Sequence, residues 1–216
     1  MTVSTLPTSK FENAAELWHA MDDVPLERIV LKPAPGTATE KDVLWYVAHD
    51  KLVELVDGTL VEKPVGWLED YIAMKIAVAI ASFVTSRKLG VVTGSQATIR
   101  MSGGNIRLPD ATFTSIDDLP GRKLPSEPIP LLPPTLAVEV ISQGNTKAEM
   151  RRKLTEYFDS GAKLVWYVYP KERTIAVYDA PTDEPKQTLN ETDILDGGSV
   201  LPGFTLSVAD VFKMEV

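Results

Sequence analysis

Apolar and polar positions change rhythm several times along the chain, and each rhythm predicts an element. Residues 52–56 and 59–63 are short β-prone runs on either side of Asp57-Gly58, a pair that tolerates positive φ at both turn positions and so predicts a hairpin. Residues 67–88 are apolar almost all round, the pattern of a helix buried between a sheet and a second surface. That second surface is expected to be a partner subunit. Residues 136–141 and 164–169 are continuous apolar runs, separated by a helical pattern over 146–160; strand, helix, strand predicts a right-handed crossover and a parallel pair.

Shorter signals fill the rest. Strands are expected at 91–93, 96–101 and 111–115, joined as a β-meander through the Ser102-Gly103-Gly104-Asn105 turn. Residues 117–134 hold six prolines in 18 positions, too many for a helix or a central strand, so a rigid loop is expected. Residues 174–178 continue the sheet and 201–212 close the domain. Near the start, residues 12–23 read as a short helix and 25–36 as an extended strip. Thr39, followed three positions later by Asp42, marks a helix start. The organisation expected is an N-terminal helical and extended appendage, 1–38, followed by one α/β (α+β) domain, 39–216.

Composition narrows the classes. At 216 residues and 44% apolar content the chain can bury a full core, and without cysteine it has no disulfide framework, thiolate metal site or thiol nucleophile. The first 20 residues lack a basic start followed by an apolar run, and the most apolar stretch, 71–84, is short of the roughly 20 residues a bilayer span needs and contains Lys75. A cytoplasmic protein without a membrane partner is expected. The net charge of −8 argues against a general affinity for nucleic acid. Yet residues 71–109 carry five bases and no acid, enough for one basic face.

Few residues are candidates for chemistry. Glu139 lies inside the apolar run LAVEVIS, where an unpaired carboxylate costs several kcal/mol, so it needs a cation or faces solvent. Asp110 follows Pro109 at a strand start; alone it is as well explained by a strand-capping turn. Together the two acids supply hard oxygen ligands of the kind Mg²⁺ takes. On the helix KAEMRRKLTEYFDS, Met150, Leu154, Tyr157 and Phe158 form the apolar stripe at about 100° per residue, with Lys153 and Arg151 on its flanks. Either can lean toward Glu139, or both can be solvated.

The ordered set ELVDG (54–58), RLPD (107–110), VEVIS (138–142), then Lys153, Tyr157, Gly161 and Trp166, together with LVDGTLVEK, the Gly144-Asn145-Thr146 turn and LPGF, resembles the Uma-type restriction endonuclease family, a branch of the PD-(D/E)XK nuclease superfamily. The resemblance covers about 25–212. It implies a restriction-endonuclease-like mixed sheet flanked by helices and a Mg²⁺ (or Mn²⁺) ion on Asp110 and Glu139, with Glu54 as a further acid ligand. It also implies that Lys153, rather than Arg151, assists the water or the transition state. Ile141 stands where the superfamily's simple motif has its lysine. Glu69 stands where many relatives have histidine, and His19 and His49 lie outside the motifs. The function so implied is a metal-dependent endonuclease hydrolysing phosphodiester bonds of DNA, acting as a homodimer. Two alternatives remain: a catalytically silent nuclease-like fold that binds nucleic acid or protein, and a glycosidase using the two acids as its catalytic pair. A lysine beside them separates the last from a shared-metal site. No phosphate-binding glycine loop, dinucleotide fingerprint, zinc-protease or serine-hydrolase motif is present.

Overall fold

The computed structural model describes residues 10–214; residues 1–9 of the expected N-terminal segment and the last two of the expected domain lie outside the described residues. The elements in chain order are α1 (Ala14–Ala20), β1 (Ile29–Val30), α2 (Glu40–Val47), β2 (Val53–Val56), β3 (Thr59–Glu62), α3 (Trp67–Arg87), β4 (Gly90–Gly94), β5 (Ile99–Arg100), β6 (Ile106–Arg107) and β7 (Ala111–Ser115). They continue with β8 (Leu136–Val140), α4 (Lys147–Asp159), β9 (Leu164–Tyr169), β10 (Thr174–Tyr178), β11 (Gln187–Leu189), β12 (Ile194–Gly197), β13 (Leu201–Ser207) and α5 (Val208–Phe212).

Two sheets carry the architecture. The first has the order β1-β3-β2-β6-β5, and the second β11-β10-β9-β8-β7-β4; β12 and β13 form a separate ribbon. The pair β8 and β9 is parallel and its neighbours β7 and β10 are antiparallel, so the second sheet is mixed. The β2–β3 hairpin forms as expected. Asp57 and Gly58 take φ of 48° and 77°, the double positive that the turn demands, and a Cβ on Gly58 would lie 2.7 Å from the Gly36 carbonyl oxygen.

The expected meander does not form. Strand β4 pairs with β7 in the second sheet, whereas β5 and β6, only two residues each, pair with one another and β6 with β2 in the first. The chain thus leaves one sheet, visits the other and returns, and this detour carries Arg107 and Asp110 to the seam between the sheets. The described part of the N-terminal segment is tied into the domain: β1 pairs with β3, and the buried Arg28 guanidinium meets Glu149 at 2.6 Å.

The second sheet is covered on both faces. Helix α3 packs Ile72, Ile76, Ile80 and Val84 against Phe113, Val138, Val140 and Trp166, while α4 packs Met150, Leu154 and Tyr157 against Ala137, Val165 and Tyr167. Since side chains alternate along a strand, Glu139 shares the α4 face with Ala137. Helix α4 starts where it does because Thr146 Oγ1 accepts the Glu149 N–H at 3.1 Å and Glu149 returns the bond to the Thr146 N–H, a capping box. The outer face of α3 stays open, with Trp67, Met74 and Val78 exposed. No helix among the described residues is long and apolar enough to cross a membrane.

Candidate active site

Strand pairing brings the two acids together. Ala111 faces Val138 in the antiparallel ladder, which sets Asp110 opposite Glu139. The Asp110 N–H donates to the Val138 carbonyl at 3.1 Å, and Asp110 Oδ2 accepts the Val140 N–H at 2.6 Å. Proline at 109 favours this arrangement, because it fixes the entering backbone and needs no ladder partner. Asp110 Oδ1 is free to turn outward and meets Lys63 Nζ at 2.7 Å.

Lys63 is a buried side chain at Asp110 that the sequence does not announce. It sits one residue beyond the β3 ladder, where a lysine is ordinarily solvated. Its side chain is buried instead, and its ammonium also donates to the carbonyls of Leu108 and Ser95, at 2.6 and 3.3 Å. A carboxylate and two carbonyls therefore surround one positive charge.

Glu139 is 4% exposed and accepts the Tyr157 hydroxyl at 2.5 Å and Lys153 Nζ at 3.4 Å, both on Oε1. Burial pushes its carboxyl up to about 7; the charges of Asp110 and Glu54 add to the rise and those of Lys153 and Lys63 oppose it. Burial thus outweighs the two nearby ammonium groups at Glu139. Lys153 lies on the inner flank of α4, fully buried, with Nζ 2.9 Å from Glu54 Oε1. Burial works against its charge, but Glu139, Glu54 and Glu149 outweigh it and hold the ammonium above the usual lysine range. Arg151, the other candidate, points outward and pairs with Asp183 at the surface.

Glu54 arrives from β2 in the other sheet. Its oxygens are already engaged, Oε1 by Lys153 and the Leu108 N–H at 3.1 Å, and Oε2 by Arg107 Nη1 at 2.9 Å. Burial alone would raise this carboxyl, yet Lys153 and Arg107 prevail and bring it down to about 2. Arg107 continues to Glu156 (2.6 Å), which takes Arg152 Nε (3.0 Å), and Arg152 reaches Asp57 at the hairpin turn (2.6 Å). A line of alternating charges therefore connects the exposed turn of the first sheet to the lysine on α4.

The cleft in front of Asp110, about 190 Å³, is lined by Lys63, Glu69, Ser95, Asp110 and Val140 among others. Glu69 is therefore close to the expected site, whereas His19 pairs with Asp23 and His49 bonds the Trp45 carbonyl, both at the surface. Against the profile of the Uma2 family, described as "Putative restriction endonuclease", the chain matches over residues 40–209.

The chain belongs to the Uma2 family. No curated protein matches its sequence. Among solved structures it is similar to a putative nuclease of DUF820 from Anabaena variabilis, with a TM-score of 0.64 and 19% identity, over 76% of this chain and 90% of that one. At that identity the likeness shows the fold alone: helices flanking sheets of which the larger is mixed. Membership of Uma2 supports a nuclease and a nucleic-acid substrate.

Among the described residues no group of three or more histidine, aspartate or glutamate side chains is gathered to hold an ion, and Glu54, expected as an acid ligand, is engaged by protein donors on both oxygens. Asp110 and Glu139 remain; Asp110 meets Lys63 on Oδ1 and the Val140 N–H on Oδ2, so an ion there would have to displace the Lys63 ammonium. Mg²⁺ ordinarily takes one or two protein carboxylates and completes its shell with water and substrate phosphate, so two carboxylates on neighbouring strands fit it in number and chemistry.

Proposed function

We propose that this Uma2 protein is a metal-dependent endonuclease hydrolysing phosphodiester bonds of DNA, with Asp110 and Glu139 holding Mg²⁺ or Mn²⁺ and Lys153 beside them. One observation carries the reading: an acid from β7, an acid from β8 and an ammonium from α4, drawn from distant parts of the chain, meet around one seam. When bound, the ion would polarise the phosphate and lower the pKa of a water. Lys153, held by Glu54 and Glu139, is placed to orient that water or to compensate the charge that builds on the phosphoryl oxygens. Glu54 acts through the lysine, and Tyr157, donating to Glu139 Oε1, fixes the carboxylate that faces it. The buried lysine weighs against a glycosidase pair, which has no use for an ammonium at that place. The reading extends to a cytoplasmic homodimer joined through the exposed α3 face, where Trp67 is 81%, Met74 55% and Val78 54% exposed.

A silent nuclease-like binding module is the second reading, favoured by the Lys63–Asp110 pair, which already neutralises one presumed ligand. The deciding assay is cleavage of supercoiled plasmid and of single-stranded DNA with Mg²⁺ or Mn²⁺, alongside calorimetric Mn²⁺ titration. Glu139→Ala and Asp110→Asn are expected to abolish cleavage with folding retained. Asparagine at position 110 keeps one acceptor oxygen, for Lys63 or for the Val140 N–H but not for both, so folding of this variant is checked by circular dichroism. Cleavage by both variants at the parent rate would dismiss the assignment; absence of carboxylate-dependent Mn²⁺ binding by the parent would favour the silent module.

A further inference from the structure

A second and larger cavity lies beside the acidic cleft, and its position, size and lining belong together. Ala137, Glu139 and Ile141 follow one another on the sheet face under α4, and Ile141 passes beyond the end of β8 into a cavity of about 650 Å³. Ligand clefts of proteins typically run from roughly 300 to 1,000 Å³, whereas the cleft at Asp110 holds about 190 Å³. The larger cavity opens at the carboxyl ends of the parallel strands β8 and β9, the usual place for a ligand on such a sheet. Glu69 lines both hollows, so they adjoin. From Glu139 to Ile141 is one same-face step along the strand, about 6.6 Å, comparable to one extended step of a nucleotide backbone.

The lining suits a flat heterocycle. Met150 and Ile141 supply aliphatic surface, while Tyr169 and Tyr178 supply aromatic rings. A tyrosine is uncharged at neutral pH, so neither ring repels a phosphate. Lys147 and Lys171 stand on the rim, but Glu69, Glu172 and the Arg151–Asp183 pair stand there too. The rim charges largely cancel. Attraction must therefore come mainly from the rings.

We propose that this cavity receives an unpaired nucleobase of a nucleic-acid strand whose adjoining phosphodiester lies in the cleft at Asp110. The identity of that phosphodiester rests on the nuclease reading; base binding itself does not require cleavage. A base inside a duplex presents only its edge, so a ring that reaches the tyrosines has left its stack. The substrate class that follows is single-stranded or locally unpaired nucleic acid.

The test uses the full chain with chelator present and fluorescein-labelled strands of about 12 nucleotides, within the span such sites cover: oligo-dT, oligo-rU and a DNA duplex, each titrated at low and high salt. Single strands are expected to bind more tightly than duplex with a shallow salt dependence, and the better of the two single strands identifies the sugar. Tyr169→Ala is expected to lower single-strand affinity about 5- to 150-fold, the range for losing one stacked base, without changing duplex affinity; Tyr169→Trp is expected to retain it, which separates lost stacking from lost folding. Equal affinity for single strand and duplex, or parent-like binding by Tyr169→Ala, overturns the proposal. So does Tyr169→Trp binding as weakly as the alanine variant. Cleavage with Mg²⁺ is measured on the same preparations. A parent that cuts while Tyr169→Ala binds and cuts equally well removes the base site and leaves the nuclease; tyrosine-dependent strand binding by a parent that never cuts removes the nuclease and leaves the base site.

Discussion

Replacing Glu54 by glutamine tests the charge arrangement under the site most directly. Glu54 is 1% exposed and its carboxyl is lowered from 4.5 to about 2 by Lys153 and Arg107 acting against burial. At roughly 1.4 kcal/mol per pH unit, a carboxyl depressed that far contributes about 3 kcal/mol to folding at neutral pH. Breaking a buried ion pair from one side typically costs about 3–5 kcal/mol; the lower end applies here because Arg107 keeps Glu156 and Lys153 keeps Glu139. The sign follows from the direction of the shift. The contribution is complete above 4.5, the value in the unfolded chain, and is lost as the pH falls toward the folded value of about 2. Urea unfolding followed by tryptophan fluorescence, at pH 7 and at steps down to pH 3, is expected to show Glu54→Gln less stable by about 3 kcal/mol at pH 7, with the gap narrowing in acid. A gap under about 1 kcal/mol at pH 7, the size of an exposed pair, or one that stays constant down to pH 3, would show that Glu54 is not the counter-ion described.

Two further outcomes are expected. Lys63→Met removes the ammonium bonded to Asp110 Oδ1 at 2.7 Å; because that charge competes with a divalent ion, Mn²⁺ affinity measured by calorimetry should rise by about tenfold, a coupling of about 1.4 kcal/mol, and an unchanged or weaker affinity would mean that Lys63 does not compete. The double variant Met74→Glu with Val78→Glu puts charge on the exposed face of α3 and should convert a dimer to monomer in light scattering with unfolding midpoints kept, whereas a parent that is already monomeric at all concentrations removes the homodimer.

Local chemistry made several elements legible. Asp57-Gly58 announces its turn because few residue pairs accept two positive φ values, and the strand–helix–strand order over 136–169 implies the parallel pair β8 and β9. Lys153 was one of two flank candidates by periodicity, and the family resemblance favoured it over Arg151; in the fold it is the lysine that turns inward. What stayed hidden depends on partners far along the chain. The sheet exchange of β5 and β6 cannot be read from two-residue strands whose apolar content would suit a meander. Lys63 gives no local sign that Asp110, Leu108 and Ser95 will enclose it. Tyr157 reads as one member of an apolar stripe, yet its hydroxyl reaches Glu139. Glu54 reads as an acid ligand until Arg107, 53 positions away, is seen to bond it.

The alternating charges between Asp57 and Lys153 begin on the first sheet and finish on α4, the helix that covers the second, so neither layer is electrically self-sufficient. A chimera that took residues up to 107 from one relative and the remainder from another would inherit half of that circuit from each parent. Unless both parents wired it alike, the hybrid would strand a buried charge at the seam, and it would lose the fit between its halves together with its chemistry.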